Sequence, residues 1–174
     1  MGRLSVIKGL LTITLLGHCL VTLGQQTSSA SQTLTNLPAG AIIEIPLTLN
    51  KDMDLSFGSV VPGNTPGTVI IYASASASRT STGGVSVLSQ DTFNAACFSI
   101  TGTAGTSYSI SLPNSVTLSG PGSNTMTVNN FTDNSSETLN SSGAGTFYVG
   151  ATLHIGAQQT KGSYSGSFNV SVNY

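Results

Sequence analysis

The chain has 174 residues, 39% hydrophobic but only 6% charged, with a formal net charge of -1. Average soluble domains carry about 25% charged residues, so this polar surface must be built from Ser, Thr, Asn and Gly. Near-zero net charge gives no electrostatic basis for binding nucleic acid or an anionic membrane, and the length suits one domain with a real core.

At the N-terminus, Arg3 and Lys8 flank the start of an apolar run, Leu10-Leu-Thr-Ile-Thr-Leu-Leu16, that extends to Leu23. A positive segment, a short apolar core and the small residues Thr22 and Gly24 before Gln25 read as a secretory signal over residues 1–24, with Ser28 and Ala30 a second option for the cleavage site. A membrane span needs ~20 apolar residues; this run is shorter and is interrupted by Gly17-His18. The mature protein is therefore expected to have no membrane span and to reach the periplasm, then the cell surface or medium. Without residues 1–24, Cys97 is the sole cysteine and His154 the sole histidine, which excludes an intrachain disulfide. Residues 25–40 are polar and read as a flexible mature N-terminus; residues 41–174 read as a single β-domain.

The first predicted strand is Ala41-Ile-Ile-Glu-Ile-Pro-Leu-Thr-Leu49, in which Ala41, Ile43, Ile45, Leu47 and Leu49 share one parity. Period two marks a strand with one dry and one wet face. Pro46 lacks an N–H, which predicts an edge strand or a bulge. Further strands are predicted at 51–58, 68–72, 85–88, 97–101, 108–112, 116–118, 125–131, 147–155 and 164–174. Pro62-Gly63, Pro66-Gly67, Gly83-Gly84, Pro113-Asn114 and Gly120-Pro-Gly122 read as turns between them. Many short strands, short connections and no sustained helical period predict an antiparallel β-sandwich. The last strand is the clearest: Tyr164, Phe168, Val170, Val172 and Tyr174 alternate with Ser and Asn. Its edge must be paired, covered or used.

Catalytic constellations are sparse. A Ser-His-Asp triad needs an oriented base beside its nucleophile. His154 instead has opposite parity to Val149, Ala151, Leu153 and Ile155, so it is expected to face solvent, and no nucleophile elbow is present. Asp52 and Asp54 share a strand face, but no loop with dense Asp/Asn/Gly spacing supports calcium there. Glu44 and Glu137 have nothing in the sequence to bring them together. Cys97 reads as a small buried hydrophobe. No enzyme activity and no cofactor or metal is expected.

Four segments carry a resemblance. They are Asp54-Leu-Ser-Phe-Gly58 with Pro62-Gly63 and Gly67-Thr-Val69; Cys97-Phe-Ser-Ile-Thr-Gly102 with Tyr108-Ser-Ile-Ser-Leu-Pro113; Met126-Thr-Val128 with Phe131; and Val149-Gly-Ala-Thr-Leu153 with Gln159, Gly162, Tyr164-Ser-Gly166 and Val170-Ser-Val-Asn-Tyr174. Their order and spacing resemble a bacterial exported family, domain of unknown function family 4402, and more distantly the spore coat U and archaic chaperone–usher pilin domains. That resemblance implies an immunoglobulin-like sandwich whose copies polymerise by donating a strand. It also implies a C-terminal alternating strand ending in an aromatic, here Phe168, Val170, Val172 and Tyr174.

The expected function is a non-enzymatic fimbria-like or surface-coat subunit. Ile43, Ile45 and Leu47 are the candidate donated side chains, and the edge strand bearing Phe168, Val170, Val172 and Tyr174 is the candidate partner edge; equally, residues 41–49 would complete their own domain. Partners would be further copies or related subunits and a periplasmic chaperone. The alternative is a monomeric secreted module that binds a glycan or host surface through its loops.

Overall fold

The structure, a computed structural model, describes residues 41 and 45–174. The signal and flexible-segment readings over 1–24 and 25–40, and residue Ile43, lie outside the described residues. Ala41–Tyr174 forms one compact unit. Its strands are β1 (Thr48–Met53), β2 (Val60–Ile71), β3 (Arg79–Val87), β4 (Ala96–Thr101), β5 (Ser109–Ser111), β6 (Ser115–Ser119), β7 (Thr125–Asp133), β8 (Ala144–Ile155) and β9 (Ser171–Asn173). A single 3₁₀ turn spans Pro121–Ser123, and there is no α-helix among the described residues. Every ladder is antiparallel, and the fold is an all-β sandwich.

β8 is the spine. Phe147, Val149, Ala151, Leu153 and Ile155 alternate inward and are each 3% exposed or less. Residues 144–149 pair with β4, and residues 151–155 pair with β2. Val149 pairs with both Ala96 and Asp133, and Thr152 with both Ile70 and Asn129. A residue has only two edges, so β4 and β2 lie end to end along one edge of β8, with β7 along the other. Gly150 marks the change of partner. A Cβ there would run into the Ile71 carbonyl and come within 2.6 Å of the Ala73 nitrogen, so the close approach requires glycine. β1 and β3 are the outer edges of this sheet.

Two apolar clusters fill the interior. The first joins Val69, Val85, Met126, Val128, Ala151, Leu153 and Ile155. The second joins Ala96, Phe98, Ile100, Tyr108, Leu139, Phe147 and Val149, with Phe98 stacked on Phe147 at 5.1 Å and 16°. Leu55 and Phe131 touch both. β5, β9 and the stretch before β9 cover the second cluster through Ile110, Leu112, Phe168, Val170 and Val172.

The first predicted strand is corrected in its start. Residues 45–47 are not laddered, and β1 begins at Thr48, two residues after Pro46. It then pairs with β4 as an edge strand, with a register shift between Lys51 and Met53. The turns expected at Pro62-Gly63, Pro66-Gly67 and Gly83-Gly84 lie inside β2 and β3 instead. The ladder slips between Pro62 and Gly67, and Gly83 takes φ +66. A bulge can hold proline and glycine where a continuous ladder cannot.

Along 164–172 the predicted parity holds, and Tyr174 departs from it by being exposed. Tyr164, Phe168, Val170 and Val172 are half-buried, while Ser165, Ser167, Asn169 and Ser171 are exposed. Only Ser171–Asn173 is laddered, however, with one further bridge between Ser165 and Ser119. Between Ser111↔Ser171 and Ser119↔Ser165, residues 112–118 face residues 166–170, seven against five. The two stretches are out of step, so the bonds cannot continue.

Candidate functional site

A groove lies beside this C-terminal stretch. One wall is the link from β1 to β2, residues 55–60, with Asp91 and Thr92; the other is the chain before β9, residues 159–168. The floor is apolar: Val116, Leu118, Met126, Val128, Phe131 and Leu153. The volume is about 780 Å³, and the floor belongs in part to the first core cluster. The groove therefore opens onto the hydrophobic interior, and Phe168 lies tilted on Phe131 at 5.1 Å at one end.

The wall before β9 presents main chain. Ser165 exchanges bonds with Ser119 at 2.8 and 3.0 Å. Main-chain groups alternate in direction along an extended strand, so those of Tyr164 and Gly166 point away from β6, toward the groove. Ser56 exchanges bonds with Asn94 at 2.9 and 3.0 Å, and the Phe57 carbonyl, directed away from Asn94, is taken by Arg79. An open edge such as that at Tyr164 and Gly166 is a template for another strand.

Arg79 and Asp91 hold the first wall in place. Arg79 donates to the Phe57 carbonyl at 2.7 Å and to the Leu88 carbonyl at 2.6 Å, and its guanidinium lies 4.4 Å from the Phe93 ring centroid. Asp91 accepts from the backbone N–H of Ser59 and of Thr92. Between them Gly58 adopts φ +67, and a Cβ there would come within 2.9 Å of the Asp91 carboxylate and the Thr92 carbonyl. Removing a charged donor from partly buried carbonyls costs about 1.5–3 kcal/mol. Arg79→Ala should therefore lower stability by about 2 kcal/mol in urea unfolding, and a loss below a few tenths would mean the wall is held by other contacts.

The Ser59 N–H bond, first among the causes, holds the Asp91 carboxyl below its ordinary value of 3.8; the Thr92 bond and Arg79 add to it and burial opposes it. The folded state thus prefers the ionised form. That contribution is fully present above the unfolded value and is lost as pH falls through the folded one. The difference in melting temperature between the wild type and Asp91→Ala should be constant from pH 5 to 7 and shrink below about pH 4. A difference that does not begin to shrink as pH falls below the unfolded value would contradict the assignment.

Ahead of β1, away from the groove, Tyr174 ties down residue 45. Its hydroxyl accepts from the Thr103 N–H at 3.0 Å and donates to the Ile45 carbonyl at 3.0 Å, and the Ile45 N–H reaches the Thr103 hydroxyl at 3.2 Å. Among the residues singled out from sequence, Ile45 is 61% exposed and tied down only through its backbone. Leu47 packs on the second cluster of its own domain, as do Phe168, Val170 and Val172. Tyr174 is 47% exposed.

The other constellations stay apart. His154 is exposed and meets Asn129 at 2.8 Å. Asp52 accepts from Ser99 at 3.2 Å, whereas Asp54 pairs with Lys51 at 2.5 Å. Cys97 is buried and free. Interaction with the Cys97 side chain, its partner across the β4–β8 ladder, pushes the Tyr148 phenol above the ordinary tyrosine value. No group of three or more His, Cys, Asp or Glu able to hold a metal occurs among the described residues.

Arg79 and Asp91 carried no sequence signal beyond their rarity among so few charges. Their partners are backbone atoms, which no side-chain pattern announces.

A family model described as "Domain of unknown function (DUF4402)" matches residues 47–174. No curated protein and no solved structure matches the chain.

Proposed function

The chain belongs to the family described as Domain of unknown function (DUF4402), and for this member we propose a non-enzymatic, exported structural role: a fimbria-like or surface-coat subunit whose copies associate by β-strand pairing. The observation that carries the reading is the groove. Its floor is continuous with the core, and the Tyr164 and Gly166 main chain of one wall has no backbone partner among the described residues. Apolar surface left open to water and main-chain groups left unbonded both favour occupation by a further strand. The distant likeness to pilin domains, and the secretory signal read at residues 1–24, point the same way.

Val116 lines the floor, is half-buried and belongs to neither core cluster, so Val116→Asp puts a charge in the groove at little cost to the fold. Size-exclusion chromatography with light scattering on the chain from Gln25 should show concentration-dependent polymers for the wild type. The variant should be a monomer with an unchanged melting temperature. A wild-type chain that stays monomeric at every concentration would sink the assembly role and leave the monomeric glycan- or surface-binding module.

A further inference from the structure

We infer that the outer face of the main sheet carries a binding site for a neutral glycan chain, centred on His154. The strand registers line up one side chain from each of five strands. Thr82 faces Thr68, Thr68 faces His154, His154 faces Thr127, and Thr127 faces Thr117. The row crosses β3, β2, β8, β7 and β6 at ~4.8 Å per step, so it spans ~19 Å. Thr82, His154, Thr127 and Thr117 are exposed, and Thr68 is half-buried. Val69, Met126, Val128 and Leu153, beside them in sequence, point into the core. Side chains alternate along a strand, so the row lies on the solvent side, opposite the groove floor. The site does not depend on the assembly role.

A shallow depression of about 500 Å³ sits over the middle of this row. Ligand sites typically enclose ~300–1,000 Å³. Thr68, His154 and Thr127 line the depression, with Pro66, Gly156 and Gln159 beside them. Gly156 shares the parity of His154 and has no side chain, which keeps the space open. Two residues along each strand, a second row holds Thr80, Ile70, Thr152, Asn129 and Ser115.

The polar groups are already oriented. His154 Nε2 meets Asn129 Oδ1 at 2.8 Å. An amide oxygen only accepts, so Nε2 carries the proton and the neutral ring keeps Nδ1 as an acceptor. The Thr68 and Thr82 hydroxyls share one bond at 2.7 Å, which uses one of their two protons and leaves the other for a ligand. Thr127 adds a further hydroxyl. No Lys, Arg, Asp or Glu among the described residues lines the depression. An acidic or basic polymer would find no counter-charge there, whereas a partner rich in uncharged hydroxyls finds donors and acceptors. Ile70 and the Pro66 ring supply apolar surface for the C–H faces of sugar rings. Side chains held in place before binding lower the ordering cost. An open row of this length suits a chain of sugars better than a single ring.

The test measures retention of the chain from Gln25 on beads carrying dextran, mannan, xylan or a β-1,3-glucan. Heparin and polygalacturonate beads serve as acidic comparators. The wild type should be held by at least one neutral polymer, with no loss on adding salt, and by neither acidic one. His154→Ala should weaken retention about three- to tenfold, the range for one neutral hydrogen bond. Thr127→Glu should abolish it, and Thr127→Ser, which keeps the hydroxyl, should not. Thr146→Glu lies on the same face of β8 but outside both rows, and it should bind like the wild type. All three positions are exposed, so each variant should melt with the wild type. Failure to bind any of the neutral polymers, or binding to the acidic ones alone, would overturn the inference. So would retention that survives both His154→Ala and Thr127→Glu, which would place the glycan elsewhere on the surface. Each of these failures leaves the assembly role standing.

Discussion

Phe147→Ala is expected to lower the free energy of unfolding by about 3–5 kcal/mol and the melting temperature by on the order of 10 °C. Phe147 is fully buried at the centre of the second cluster, stacked on Phe98 across the β4–β8 ladder. Removing its ring deletes the apolar area and leaves a cavity walled by two backbone ladders. The neighbours cannot collapse into that space without breaking pairs such as Phe98↔Phe147 and Ala96↔Val149. Urea and thermal unfolding of the purified variant measure the loss. A loss under 1.5 kcal/mol would show that the cluster relaxes around the cavity and that β8 is less constrained than its pairing implies.

Gly150→Ala adds a single methyl group and should still cost about 3 kcal/mol, the upper part of the range for overpacking. The obstacle is main chain: the Ile71 carbonyl and the Ala73 amide nitrogen where β2 ends against β8. A flexible side chain could swing aside, but this backbone is held by ladders on both edges of β8. The variant should express poorly or melt well below the wild type. If it matched the wild type, the end-to-end arrangement of β2 and β4 along β8 would be wrong, because that arrangement is what crowds the position.

The two variants separate two sources of stability. Phe147 reports on apolar burial, which any well-packed sandwich has. Gly150 reports on a topological feature, one strand serving two partners in succession along a single edge. The groove depends on neither, so both variants that fold should retain the same assembly behaviour as Val116-intact chains.

The family and the sandwich class were legible because period two, turn residues and motif order are local properties of the chain. The alternation of Val149, Ala151, Leu153 and Ile155 identified β8, and every one of those residues is buried. The same reasoning oriented His154 outward, and it is exposed. Where local signals misled, a neighbouring strand had overridden them. Pro62-Gly63 and Gly83-Gly84 look like chain reversals, yet they face each other across the β2–β3 ladder as a bulge. In the alternating segment around Pro46, parity continues through residues that are not laddered, because parity reports a side chain's face and not whether an edge finds a partner.

By itself, then, the sequence determined the all-β class, the dry face of each strand, the C-terminal parity of Phe168, Val170 and Val172, and family membership. The tertiary structure decided the partners. It set seven residues against five between β6 and β9, made Arg79 and Asp91 hold one wall of the groove, and anchored Ile45 through its backbone to Tyr174 and Thr103. The physical reason is that side-chain alternation is written residue by residue, whereas the register between strands distant in sequence depends on main-chain hydrogen bonds that every residue type except proline makes alike.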